Sequence, residues 1–87
     1  MMKSAQSQSI LVLTNVPDQT VATTLAHALV ENKLAACVNI LPGIQSVYRW
    51  DGKTEQAAEV SMYIKTLSTR YAALEAYLQS YQGFLDI

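Results

Sequence analysis

An Asp-Gly pair at positions 51 and 52 separates two long β-prone segments, and it constrains the fold more than any other feature of the sequence. The segment before it runs from Ile44 to Trp50, and the segment after it, Glu55 to Thr66, alternates apolar and polar residues. Asp-Gly between two such segments is typical of a two-residue turn, because both residues tolerate positive φ. The sequence therefore predicts a long antiparallel β-hairpin.

A strand and a helix are predicted before the hairpin. The continuous apolar run from Ile10 to Leu13 predicts a first strand that is buried on both faces. The Asp18 carboxylate can accept hydrogen bonds from the free N–H groups of a following helix, which we expect to end near Asn32. The apolar residues of this helix recur at helical spacing, at Val21, Leu25, Ala28 and Leu29.

A second strand and a second helix complete the predicted elements. The strand runs from Ala35 to Leu41, and Pro42-Gly43 is expected to kink it before it continues into the hairpin, because proline cannot donate to the ladder. Ser68 can cap the second helix, which Gly83 is placed to stop. The apolar face of this helix consists of Tyr71, Leu74, Leu78 and Tyr81.

The element order predicts an α+β, ferredoxin-like sandwich, β-α-β-β-α(-β), with two helices on one face of an antiparallel sheet. Only Phe84 to Ile87 follow Gly83, so the last strand is expected to be missing or reduced. That strand normally pairs beside the first, and its loss would leave an apolar edge on Ile10 to Leu13. We expect Phe84 to Ile87 or a neighbouring subunit to cover this edge. Three origins of the short end stay open: a natural end, a frame change and a choice of expressed segment.

Composition points to one small domain that associates with other copies. The 87 residues suffice for a single domain, 1–87, with a polar tail over residues 1–9, and a content of 51% hydrophobic and 15% charged residues excludes a disordered chain. The formal net charge of -1 is opposite to the basic surface that nucleic acid requires. Because so small a core is marginal and one cysteine cannot form an internal disulfide, we expect an oligomer.

The sequence also argues against a membrane protein and against an enzyme. No stretch has the length and apolar character of a signal-peptide core or a membrane span, and a lone thiol suits a reducing compartment, so a cytoplasmic location is predicted. The three glycines do not form a phosphate-binding loop. With a single histidine there is no nucleophile–base arrangement to propose.

Three short blocks resemble a known family. They are Val16-Pro17-Asp18, Lys33-Leu34-Ala35-Ala36-Cys37-Val38-Asn39 and Tyr48-Arg49-Trp50-Asp51-Gly52-Lys53. Together with Glu59 and Lys65-Thr66, these blocks resemble the CutA divalent-cation-tolerance proteins. The resemblance implies a ferredoxin-like subunit in a compact homotrimer, with long hairpin strands that pair across subunit boundaries. It also implies a role in tolerance of copper and other divalent metal ions.

The chain departs from the family pattern at the metal ligands. In members where copper has been placed, the ligands come from a cysteine near the end of the first strand and from histidines after the second helix. This chain has Thr14 and Tyr81-Gln82 at those places. The family's copper site is therefore not expected here, and copper or another divalent cation is expected to bind weakly.

Glu59, Lys65 and Trp50 are the candidate residues for binding a small ligand. Glu59 and Lys65 lie on one face of the predicted third strand by period two. In a trimer of the resembled kind, that face lines a cleft between subunits, where both charges and Trp50 would meet a ligand. The alternative is that they are solvated or interface charges. We expect Trp50 and Tyr48 to anchor a subunit interface rather than to stack on a cofactor.

Cys37 is the candidate metal ligand, and His27 is the only histidine. A single thiol is a poor site, because Zn²⁺ or Cu²⁺ needs three or four ligands. We therefore expect Cys37 in the core, with ligation by three copies around a trimer axis as the alternative. His27 lies off the apolar face of the first helix, so we expect it to be exposed beside Glu31.

The sequence therefore predicts a non-enzymatic, homotrimeric CutA-like protein in the response to divalent metal ions, with a metal or small ligand between subunits. A purely structural or signalling trimeric scaffold without a metal site is the alternative. A ligand that binds the folded trimer would raise its melting temperature by mass action, which separates the two hypotheses.

Overall fold

The computed structural model describes residues 7–81 of the chain. Its elements are strand β1 (Ser9–Val16), helix α1 (Gln19–Glu31), strand β2 (Cys37–Trp50), strand β3 (Lys53–Leu67), a 3₁₀ turn (Ser68–Arg70) and helix α2 (Tyr71–Gln79). This order confirms the predicted β-α-β-β-α arrangement and the α+β fold class. Among the helices within residues 7–81, none has the length and apolar character to cross a membrane.

The three strands form one antiparallel sheet in the order β1-β3-β2. Strand β3 is therefore central, and β1 and β2 each have one neighbour within residues 7–81. The segment expected to cover the free edge of β1, Phe84 to Ile87, lies outside the described residues. Coverage of that edge stays a prediction.

The hairpin forms where the sequence predicts it. Trp50 pairs with Lys53, so Asp51 and Gly52 are the whole loop, and their φ values are 53° and 77°. Positive φ at both loop positions matches the turn type whose twist suits a two-residue hairpin. Strand β3 begins two residues before the predicted Glu55 and extends to Leu67.

The predicted kink at Pro42-Gly43 is a β-bulge. Leu41 pairs with Ser61 and Ile44 pairs with Glu59, so two residues of β2 lie opposite one residue of β3. Gly43 has a φ of 81°, which an L-residue rarely adopts. Because one residue is inserted, the alternation of side chains along β2 changes phase at this point.

Both helices pack on one face of the sheet, which we call the covered face. Strand residues Val60, Met62 and Ile64 are buried against them, as the alternation of β3 predicts. The Asp18 cap is also confirmed, because its Oδ1 accepts from the Val21 N–H at 2.9 Å. The buried apolar core consists of Val16, Ala22, Leu25, Ala26, Leu29, Ala35, Val60, Met62, Ile64, Leu74 and Leu78.

Two predictions about burial and helix start are wrong. The side chains of Leu11 and Leu13 are 53% and 61% exposed, so β1 is buried on one face and not on both. The reason is that both helices contribute to the same core cluster, which leaves the other sheet face without a covering layer among residues 7–81. Helix α2 begins at Tyr71, because Ser68 opens the 3₁₀ turn instead of capping the helix. Tyr71 is 41% exposed and does not face the core.

Helix α1 ends in a Schellman motif with lysine at the position that usually holds glycine. The Lys33 N–H donates to the Val30 carbonyl at 3.0 Å, and the Leu34 N–H donates to the Leu29 carbonyl at 2.9 Å. Lys33 itself has a φ of 60°, which costs an L-residue roughly 1–2 kcal/mol. The chain therefore keeps a strained lysine between α1 and β2.

We predict that Lys33→Gly raises the free energy of unfolding by about 0.5–1 kcal/mol, because relief of the left-handed strain exceeds the entropy that glycine adds to the unfolded chain. Urea unfolding followed by far-ultraviolet circular dichroism, at one protein concentration, measures the change. The matched control is Lys33→Ala, which also removes the amine but stays an L-residue and should give no gain. Equal stabilisation by both variants would contradict the explanation.

Candidate functional site

The sheet face turned away from the helices is the candidate functional surface, and we call it the open face. On β3 it carries the odd-numbered residues, opposite in phase to the buried Met62 and Ile64. The antiparallel register extends it across the strands in three rows: Leu11–Lys65–Cys37, Leu13–Tyr63–Asn39 and Asn15–Ser61–Leu41. The open face therefore mixes apolar, charged and hydrogen-bonding side chains.

Exposed leucines concentrate at one side of the open face. Leu11 and Leu13 lie two residues apart on β1, and Leu67, at the end of β3, is 43% exposed. Alternation places Leu11 and Leu13 on the same face, about 7 Å apart along the strand. Contiguous apolar surface of this kind is typical of an interaction site rather than of a free monomer.

Two hydrogen bonds organise the polar side chains of the open face. Ser61 Oγ donates to Asn15 Oδ1 at 2.6 Å across the β1–β3 pair, and Ser46 Oγ donates to the Glu59 carboxylate across the β2–β3 pair. Glu59 is half-buried. Neither bond was predicted from the sequence. The second could have been found by treating Pro42-Gly43 as a one-residue bulge, since this insertion brings Ser46 onto the face of Glu59.

Glu59, Lys65 and Trp50 do not converge within one chain. Glu59 and Lys65 share a face, as predicted, but they are six residues apart on β3, which is about 20 Å. Trp50 lies opposite Lys53, about 20 Å from Glu59 in the other direction. A ligand site made of all three would need side chains from different subunits. That cleft stays a prediction.

The tip of the hairpin extends past the helices and exposes large side chains. Trp50 is 69% exposed and Val47 is 65% exposed, whereas Tyr48 is half-buried. The principal extents of the structure, 52 × 26 × 21 Å, reflect this projection. An exposed tryptophan at the end of a projecting hairpin fits the predicted interface anchor and does not test it.

Cys37 is exposed, so the prediction that it lies in the core is wrong. Register explains the error. Cys37 lies opposite Lys65 on the open face, and its neighbour Val38, opposite the buried Ile64, packs against the core. Within residues 7–81, no three His, Cys, Asp or Glu side chains come close enough to hold a metal ion. Ligation by Cys37 from three subunits stays a prediction.

The other residues considered for metal are placed on the helix side. His27 is exposed, as predicted, beside a cavity of about 430 Å³ that Glu31 also lines. Thr14 lies opposite the buried Met62. Tyr81 packs on Tyr77 with ring centroids 5.7 Å apart, and desolvation together with a hydrogen bond to Tyr81 raises the pKa of Tyr77. Gln82 lies outside the described residues.

An antiparallel β1-β3-β2 sheet with two helices on one face defines a ferredoxin-like α+β protein. Residues 10–84 match the family model of the CutA1 divalent ion tolerance protein. The solved divalent cation tolerance protein (Cut A1) of Thermus thermophilus superposes with a TM-score of 0.84 at 38% identity, over 90% of this chain and 76% of that one. The chain belongs to the CutA1 divalent ion tolerance family.

Curated relatives agree with this assignment. A CutA homolog of Xenopus laevis is 52% identical over 64 residues, which are 74% of this chain and 42% of that protein. The divalent-cation tolerance protein CutA of Pectobacterium atrosepticum is 44% identical over 71 residues, 82% of this chain and 64% of that protein. The chain thus matches less than two thirds of the length of each of these two relatives.

We predict weak binding of Cu²⁺ and Zn²⁺ by the purified chain, because Cys37 is the only thiol and residues 7–81 hold no cluster of metal ligands. Cys37→Ser should abolish Cu⁺ binding and leave the circular dichroism spectrum and native mass unchanged. Calorimetric titration measures the metal affinity, with Asn39→Ser on the same face as the matched control. Tight stoichiometric Cu²⁺ binding by Cys37→Ser would contradict this prediction.

Proposed function

We propose that this CutA1-family chain acts as a homotrimer in tolerance of divalent metal ions, with the open face buried between subunits. The observation that carries the proposal is the exposure of Leu11 and Leu13 on an edge strand, 53% and 61%, in a chain whose core is small. Burial of the exposed parts of both side chains would contribute roughly 2–3 kcal/mol per subunit. Association supplies burial that one chain does not reach alone.

The sheet edges support the same assembly. Within residues 7–81, β1 and β2 each pair on one side only, and the β2–β3 hairpin projects beyond the helices. Unpaired edge strands are ready templates for pairing with another chain. A closed ring of subunits satisfies such edges without leaving new ones, which favours a trimer over open aggregation. The hairpin would then pair with the neighbouring subunit, with Trp50 as an anchor.

We further propose that the trimer acts without catalysis, by binding a metal ion or small ligand in the clefts between subunits. The names of the relatives describe tolerance to divalent cations, which supports the metal-related role. Glu59, Lys65 and Trp50, each from a different subunit, are the ligand-binding residues of this proposal. In the metal-specific form of this proposal, Cys37 side chains from three subunits hold copper at the trimer axis.

A trimeric scaffold without a metal site is the second candidate. It is favoured by the absence of a metal-ligand cluster within residues 7–81. The two candidates share the trimer and differ in whether a divalent cation stabilises it. A ligand present at one hundred times its dissociation constant would add about 2.7 kcal/mol to the free energy of unfolding.

The native mass of the purified chain should be close to three times 9.6 kDa by light scattering. Leu13→Glu places a charge on the open face, which opposes burial between subunits, and should shift the mass toward the monomer. The matched control is Val30→Glu on α1, where the valine is 42% exposed on the helix layer, and it should keep the mass of the trimer. A wild-type monomer would refute the assembly.

In a bacterial host that lacks its own CutA1-family gene, the chain should restore growth at inhibitory Cu²⁺, and Leu13→Glu should not, because the proposed activity requires the trimer. Growth of the host across a series of Cu²⁺ concentrations, with Val30→Glu as the control variant, measures the restored tolerance. Thermal unfolding with and without Cu²⁺ then separates the candidates. A cation-dependent rise in melting temperature supports ligand binding, whereas restored growth with no such rise supports the scaffold.

A further inference from the structure

A basic pocket lies where the end of α1, the start of β2 and the 3₁₀ turn meet. Its volume is about 380 Å³, and Lys33 and Arg70 line it together with the buried Thr66. The rest of its wall is apolar, with Val30, Ala35 and Leu67 among the residues. A mostly apolar cavity with a few convergent polar groups is the usual form of a small-molecule site.

Hydrogen bonds fix the backbone that carries Lys33. The residue that follows it is held to β3, because Thr66 Oγ1 donates to the Leu34 carbonyl at 2.7 Å. Two residues further, the Ala36 N–H donates to the Lys65 carbonyl at 2.8 Å. Together with the Schellman bonds at the end of α1, these contacts hold the Lys33 backbone in a single conformation. Such preorganisation reduces the entropy cost of binding a ligand.

Arg70 also projects from anchored backbone. The Ser68 N–H donates to the Gln8 carbonyl at 2.7 Å, and the Gln8 N–H donates to Ser68 Oγ at 3.0 Å, so the 3₁₀ turn is tied to the segment before β1. Arg70 is the N-cap residue of α2, and the first turn of that helix contains no acidic side chain. The positive end of the α2 dipole therefore adds to the charge of Arg70.

The pocket concentrates positive charge in a chain whose formal net charge is -1. Within residues 7–81, no acidic residue lines the pocket, and neither Lys33 nor Arg70 has an ion-pair partner. An adjoining cavity of about 440 Å³ shares Thr66 and Leu67 with it and adds Lys65. Three of the six Lys and Arg residues thus gather at one end of the sheet.

We propose that this pocket binds a small anion through Lys33 and Arg70, and that the ligand carries a phosphate or carboxylate group on a short apolar stem. Guanidinium and ammonium groups form strong charge-assisted hydrogen bonds to both kinds of anion. The apolar wall from Val30 and Leu67 suits the stem. The site lies within one chain, so it does not depend on the proposed trimer or on metal binding.

Titration with inorganic phosphate, at fixed pH and ionic strength and with chloride as the reference salt, tests the site. Backbone amide shifts of the ¹⁵N-labelled protein should move saturably at Lys33, Ala36 and Arg70. Lys33→Gly and Arg70→Gln should each weaken the apparent affinity about tenfold, since each removes one charge-assisted contact. Lys33→Gly keeps the left-handed backbone, so its loss of binding cannot be attributed to unfolding. Lys53→Gln, on the distant hairpin tip, loses the same charge and should bind phosphate normally.

Glycerol phosphate and succinate distinguish the two sources of negative charge, and tighter binding of either than of inorganic phosphate supports the apolar stem. Shifts that are equal in phosphate and chloride, or that persist in both pocket variants, would overturn the proposal. A third outcome would also overturn it: no phosphate binding, together with a native mass that changes in both pocket variants. That result would mean that an acidic group of a second copy occupies the pocket.

Discussion

The two-sided character of β3 is the constraint on which the rest of the structure depends. As the central strand, it contacts both neighbours, and its alternation assigns every row of side chains to a face. Val60, Met62 and Ile64 hold the two helices on the covered face. The intervening positions, which include Glu59 and Lys65, give the open face its polar character. Core and candidate site are therefore two consequences of a single pattern.

The sequence predicted features whose cause is local and failed where the cause is remote. Asp51-Gly52 and the Asp18 cap were predicted because turn and cap geometry depend on neighbouring residues. The exposure of Cys37 and the contact of Ser46 with Glu59 were not, because they depend on strand register and on the phase change at the bulge. The left-handed Lys33 was missed because the usual signal for that position is glycine.

Membership of the CutA1 family and the chemistry of this chain answer different questions. The family match rests on residues 10–84, and the fold follows the core and hairpin signals within that range. The metal question depends on a few side chains, and Thr14 and Tyr81 lie where the resemblance would require sulfur or imidazole ligands. A fold can persist while the ligands attached to it change, since packing constrains many residues together and a metal site constrains few.

The β-bulge at Pro42-Gly43 inserts one residue into β2 between its first half and the hairpin tip. Before the bulge, the odd-numbered residues of β2 share a face with Glu59, and after it the even-numbered residues do. Loss of one residue at 42–43 would leave Leu41 and Ile44 two positions apart, still opposite Ser61 and Glu59, so Tyr48 and Trp50 would keep the face of Glu59. The deletion would instead remove the bend and the extra twist that the bulge gives the strand. The inserted residue therefore sets the direction in which the hairpin tip projects, and not which side chains it presents.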